Sequence, residues 1–222
     1  MRQRGIILLP ILIGLLLLLG LTYLVYSNYK SRNSNLETSS LYTTPTLAPA
    51  KYSPTPIKGA DLEKCYENNN YFVIEQGATD SVGGNLLVKY KSADNQKFDC
   101  KYVVEQNDFE IKSEDADYYL GLENKFLLID RGTGPHPRAF IIYDLEKRQK
   151  VYNASYSVPV NLENNYFDYW KGVSTKVTKE NCPEKDYYEN AGLGTAIEEH
   201  VRLQLINMEE INLNESRCSG RQ

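Results

Sequence analysis

Residues 139–157 read AFIIYDLEKRQKVYNASYS, two strand-forming runs joined by the polar stretch EKRQ. Ile, Val, Phe and Tyr favour the pleated backbone, and a polar connection this short returns the chain antiparallel, so the segment predicts a hairpin. Working back from it, further short apolar runs occur at 71–75 (YFVIE), 86–90 (LLVKY), 100–105 (CKYVVE), 109–112 (FEIK), 118–122 (YYLGL) and 125–130 (KFLLID). Turn-rich pieces such as 76–85 separate them, and no internal repeat of fixed period appears. Working forward, Asn181 is placed to cap a helix, with Pro183 in its first turn, Glu184 facing the dipole, and Gly192 or Gly194 to stop it. After it, Val201, Leu203 and Leu205 alternate with Arg202 and Gln204, the period of a half-buried strand. Residues 211–215 (INLNE) read as its return. The expectation is a mainly β domain of antiparallel sheets and hairpins, sandwich- or barrel-like, with one short helix in its second half.

The N-terminal quarter is of another kind. Residues 5–26 contain no charged side chain, and as a helix they would span about 30 Å, the thickness of a bilayer's hydrocarbon core. The run exceeds the usual length of a cleaved leader's apolar core, and 21–26 (LTYLVY) is too bulky for a small-x-small cleavage site. It predicts an uncleaved signal anchor behind a four-residue cytoplasmic N-terminus. Arg2 and Arg4 on one side against Lys30 and Arg32 on the other orient it only weakly, N-terminus in. Residues 27–58 are rich in Ser, Thr, Asn and Pro and read as a linker, reaching roughly 30 Å if flexible. The domain proper is then 59–222.

All four cysteines (Cys65, Cys100, Cys182, Cys218) lie beyond the predicted anchor. An even number in one modest domain reads as two disulfides in an oxidising periplasmic or extracellular compartment. Their wide spacing lacks the close C-x2-4-C pairs of a zinc site and any C-x-x-C redox motif. Three pairings are open. The local one would close two loops of similar length, each contributing about 4 kcal/mol in the chain-entropy model.

Charge narrows the partners. Six of the 25 basic residues but only one of the 29 acidic ones precede residue 59, leaving 19 against 28 and a net charge of −9 on the domain. Such a surface repels nucleic acid and other polyanions at long range. The partners expected are the membrane, through the N-terminal helix, and an envelope protein or cell-wall component.

Two stretches are candidates for chemistry. Asp130–Arg138 reads DRGTGPHPR: paired glycines and prolines can hold a rigid loop presenting Arg131, His136 and Arg138, groups that would bind a carboxylate or phosphate. The alternative is a hairpin connection whose arginines pair with Asp130, Asp144 or Glu146. Residues 166–170 (YFDYW) offer Tyr169 and Trp170 as an exposed aromatic patch, against the plainer duty of tyrosine in strands. No G-x-S-x-G, H-E-x-x-H, phosphate loop or cofactor fingerprint occurs, so no cofactor or metal is expected. The function expected is a tethered binding or assembly module. The alternative is an envelope-acting hydrolase using the loop 132–138.

Overall fold

The computed structural model describes residues 55–59, 62–93, 95–134 and 137–222. The predicted anchor and most of the predicted linker lie outside the described residues, among which no helix is long and apolar enough to cross a membrane. The described chain is mainly β, as the alternating patterns require. Its first sheet holds β1 (Lys58–Gly59), β2 (Glu63–Glu67), β3 (Tyr71–Gly77), β4 (Gly84–Tyr90) and β5 (Phe109–Ile111). The second holds β6 (Asp117–Glu123), β7 (Phe126–Arg131), β8 (Arg138–Asp144), β9 (Gln149–Glu163), β10 (Tyr166–Val173), β11 (Gly194–Gln204) and β12 (Glu209–Arg221). In both sheets every strand pairs antiparallel with its sequence neighbour, so both are simple meanders.

Tight turns set this order. Asn164 and Asn165 both adopt positive φ (54° and 64°) between paired Glu163 and Tyr166, the two-residue hairpin turn whose twist suits the flanking strands. Gly83, also at positive φ, has no room for a side chain: a Cβ there would lie 2.6 Å from the Asp117 nitrogen. The β3–β4 turn therefore seats directly on the start of β6.

Between the sheets, Val73, Leu86 and Val88 meet Leu127, Ile129 and Ile141, with Tyr66 stacked on Tyr119 at 3.6 Å. On the far side of the first sheet, the Cys65–Cys100 disulfide, Phe72, Ile74 and Leu87 form a smaller cluster. The largest core lies on one face of the second sheet. Phe140 is its centre, its ring 4.9 Å from Phe167 and 5.0 Å from Tyr169. Burying side chains of this size stabilises by about 1.5–3 kcal/mol each. Strand β9 is shared: it pairs with β8 as far as Tyr156 and with β10 from Ser157 onward. Pro159, which has no N–H to donate, stands just past this change of partner.

Several local expectations are corrected. Residues 100–105 form no strand: the Lys101 and Val103 N–H groups bond the carbonyls of Asp99 and Lys101 instead. Residues 158–173, which carried no strand expectation, hold the second half of β9 and β10. The helix α1 (Lys185–Asn190) starts later than its predicted cap. Glu184 takes the N-cap position without a side-chain bond, while Asn181 ties residues 176 and 178 together. Its end is as expected. Gly192 takes φ 74°, and the Gly192 and Leu193 N–H groups bond the Glu189 and Tyr188 carbonyls, closing the helix. The disulfides are the local pair, Cys65–Cys100 and Cys182–Cys218, and no cysteine is free. The second ties the approach to α1 to β12.

Candidate functional site

The two ends of the β7–β8 connection bring Arg131 and Arg138 onto the second sheet, but each is held by carboxylates of the domain itself. Arg131 donates from Nε and Nη2 to buried Asp117 at 2.6 and 2.9 Å, with Glu114 3.4 Å away. Arg138 grips Asp130 with two donors, Nε at 2.7 Å, and its Nη1 reaches the Gly134 carbonyl at 3.0 Å. The Tyr156 hydroxyl donates to the same Asp130 oxygen at 2.9 Å. Hydrogen bonds donated to Asp117 and Asp130 raise the pKa of the two guanidiniums, and burial raises that of the Tyr156 phenol. Of the three residues proposed there, Arg131 and Arg138 are part-exposed and paired with carboxylates of the domain, and His136 lies outside the described residues.

The YFDYW segment divides between two faces, as the period of two in a strand demands. Tyr169 is fully buried beside Phe140, its hydroxyl 2.7 Å from Glu210. Tyr152 and Lys171 reach the same carboxylate, and despite partial burial these donors hold Glu210 below the usual carboxylate range. Asp168 and Trp170 point to the opposite face, away from the core.

That outward face is built by cross-strand pairing of β9 through β12. Opposite Asp168 stands Arg202, which donates to both its oxygens at 2.7 and 2.8 Å and lies 5.3 Å from the Tyr166 ring. Opposite Trp170 stands His200, the rings stacked 4.8 Å apart at 10°. His200 Nδ1 lies 2.9 Å from a Glu215 oxygen. Next along β11 is Glu198, fully buried. Arg217 and Arg221 each reach it at 2.6 Å, and Arg221 also contacts the Ser157 hydroxyl at 3.3 Å. Burial by itself would push the Glu198 carboxyl up; the Ser157 hydroxyl and two guanidiniums outweigh it and hold the group low. Arg217 goes further, donating to the Val158 carbonyl at 2.7 Å and placing its guanidinium carbon 4.2 Å from the Trp170 ring centre.

The arrangement is therefore a column of planar groups around Trp170, locked by a buried carboxylate beneath two arginines. Beside it opens a shallow cavity of about 310 Å³, lined by Pro159, Val160, Asn161, Asp168, Trp170 and His200. Around Trp170 the arginines Arg202, Arg217 and Arg221 are matched by the acids Asp168, Glu198 and Glu215. A larger cleft of about 660 Å³ lies at the β3–β4 turn, between exposed Leu62 and Val82 and the acids Asp80, Glu114 and Asp115. Cys182, Glu184 and Cys218 converge within 4.8 Å, but both sulfurs belong to a disulfide and offer no thiolate to a metal.

Glu198, His200, Arg202 and Arg217 were not among the residues singled out from sequence. A signal existed for three of them: in AIEEHVRLQ the alternation that buries Val201 and Leu203 puts Glu198, His200 and Arg202 together on the other face. Their union with Trp170 depends on strand register across 28 residues or more, which local pattern does not carry. Comparisons with protein-family models, curated proteins and solved structures find no match for this chain.

Proposed function

We propose that this chain is a membrane-tethered binding or assembly module of the cell envelope, with its ligand site on the outward face around Trp170. Residues 5–26 anchor it with the N-terminus inside, residues 27–58 hold the domain clear of the bilayer, and the domain works in an oxidising compartment suited to its two disulfides. Its ligand is an envelope protein or a cell-wall component. The observation that supports this most is the Trp170 column. A part-buried tryptophan, held by His200 and Arg217, borders a cavity on the face of a rigid sheet. Recognition surfaces favour tryptophan, tyrosine and arginine, and the aromatic pair supplies large contact area at small entropic cost.

The test is cross-linking capture from the native membrane, using full-length protein beside Trp170→Ala, His200→Ala and Arg131→Ala variants. Capture of a discrete partner by wild type and Arg131→Ala, and its loss in both Trp170→Ala and His200→Ala, is the expected pattern. A partner retained by all variants would remove the site from this face, and no partner with wild type would remove the module reading itself.

A further inference from the structure

Residues 101–105, KYVVE, are strand-forming in composition yet have no strand partner among the described residues. They lie in the β4–β5 connection and leave Val103 and Val104 58% and 51% exposed. The segment is nevertheless pinned at both ends. Cys100 is bonded to Cys65, and the Tyr102 N–H donates to Glu63 at 2.9 Å while its hydroxyl donates to Glu110 at 3.1 Å. At the other end the Glu105 N–H donates to Asp108 at 2.9 Å, and Asp108 is held by Lys89 at 2.7 Å. Two adjacent valines are thus presented to solvent on an anchored backbone. The Lys101 and Val103 N–H groups are satisfied only by bonds spanning two residues, the tight-turn kind that a ladder can replace.

We propose that this segment pairs antiparallel with the same segment of a second copy of the chain, about a twofold axis through Val103. The sequence is complementary to itself in that register and no other. Lys101 faces Glu105 of the second copy, twice by symmetry, Tyr102 faces Val104, and Val103 faces its own counterpart. Shifting by one residue loses both charge pairs, and parallel pairing sets lysine on lysine and glutamate on glutamate, which is unfavourable. The charges are available: Lys101 is exposed, and the Glu105 side chain is 70% exposed, 3.3 Å from Lys89, which keeps Asp108 as its closer partner. Self-matching patches of this kind generate closed twofold dimers. Five residues a side bury far less than the roughly 1,200 Å² of a stable interface. The contact is therefore weak in solution and works between copies already concentrated in one membrane, where tethering raises the effective concentration. It rests on the proposed membrane anchorage, but it uses a surface separate from the Trp170 face and stands whether or not that face binds a ligand.

The test uses the full-length chain in its membrane. Val103→Cys is expected to give a covalent dimer on mild oxidation, well above that from Val82→Cys, an equally exposed valine on the β3–β4 turn. In the Val103→Cys background, Lys101→Glu or Glu105→Lys alone should each lower the dimer yield about fivefold, the effect of like charges facing each other twice. Lys101→Glu with Glu105→Lys together should return it to within about twofold, because the exchanged charges again face opposites. A Val103→Cys yield no greater than that of Val82→Cys would overturn the proposal. So would a double exchange that stays as low as either single one.

Discussion

Two arginine-bearing regions of the second sheet look alike in composition and differ in charge balance. At the β7–β8 connection, Arg131 has Asp117 and Glu114, and Arg138 has Asp130, so carboxylates outnumber guanidiniums. On the β9–β12 face, Arg217 and Arg221 share the single carboxylate of Glu198, and Arg217 is left lying against Trp170. The arginine side chains are about equally exposed in the two regions, and what sets the second apart is the close approach of Arg217 to the Trp170 ring. The lesson is that arginines alike in sequence differ in how many acids hold each one, which the composition of a loop does not reveal.

The contrast yields a ranked set of stability effects. Glu198→Gln should be the most damaging, costing about 3–5 kcal/mol in denaturant unfolding, because two arginines lose the buried charge that holds them. A cost under about 1 kcal/mol would mean the pairs behave as exposed ones. Arg138→Ala comes next at about 2 kcal/mol, since Asp130 keeps the Tyr156 hydroxyl but loses two charged donors. His200→Ala is the smallest, about 1 kcal/mol, since its partner Glu215 is exposed and rehydrates and what is lost is the stack on Trp170. Binding should not follow this order: His200→Ala should lose the partner and Arg138→Ala keep it wherever the protein is folded.

Acid sharpens the same comparison. Glu198 and Glu210 have folded-state pKa values below their ordinary 4.5, so protons bind the unfolded chain more readily than the folded one. Their contribution is fully present above that ordinary value and is lost as pH falls through the lower folded values. Unfolding measured from pH 6 down to 3 should therefore show stability declining below about pH 4.5, with a shallower decline in Glu198→Gln. Identical slopes for the two proteins would show that Glu198 carries no such linkage.

Much of the architecture was legible. The 139–157 hairpin formed as its two apolar runs and polar turn required, and so did the alternation that buries Val201, Leu203 and Leu205. Failures came where a non-local restraint competed with local preference. The strand-forming 100–105 run is held by a disulfide and side-chain bonds, so its backbone satisfies itself. Pro159 and the mixed run NLENNYFDYW hid a strand that changes partners, a position where proline is harmless. Trp170 was recognisable as a candidate, but its neighbours were not, because Arg217 reaches it only through the register of two further strands, β11 and β12. Tyr169, beside it in sequence, belongs to the opposite face and to the core.

The central claim, that the Trp170 face is where this domain meets its partner, is tested most directly by placing a photoreactive amino acid there. It would replace Asn161, which lines the cavity beside Trp170, in the full-length chain in its native membrane, beside a second protein carrying it at exposed Gln149 on β9. A discrete adduct from position 161 and none from position 149 is the predicted result. Equal adducts from both positions, or none from position 161, would contradict it.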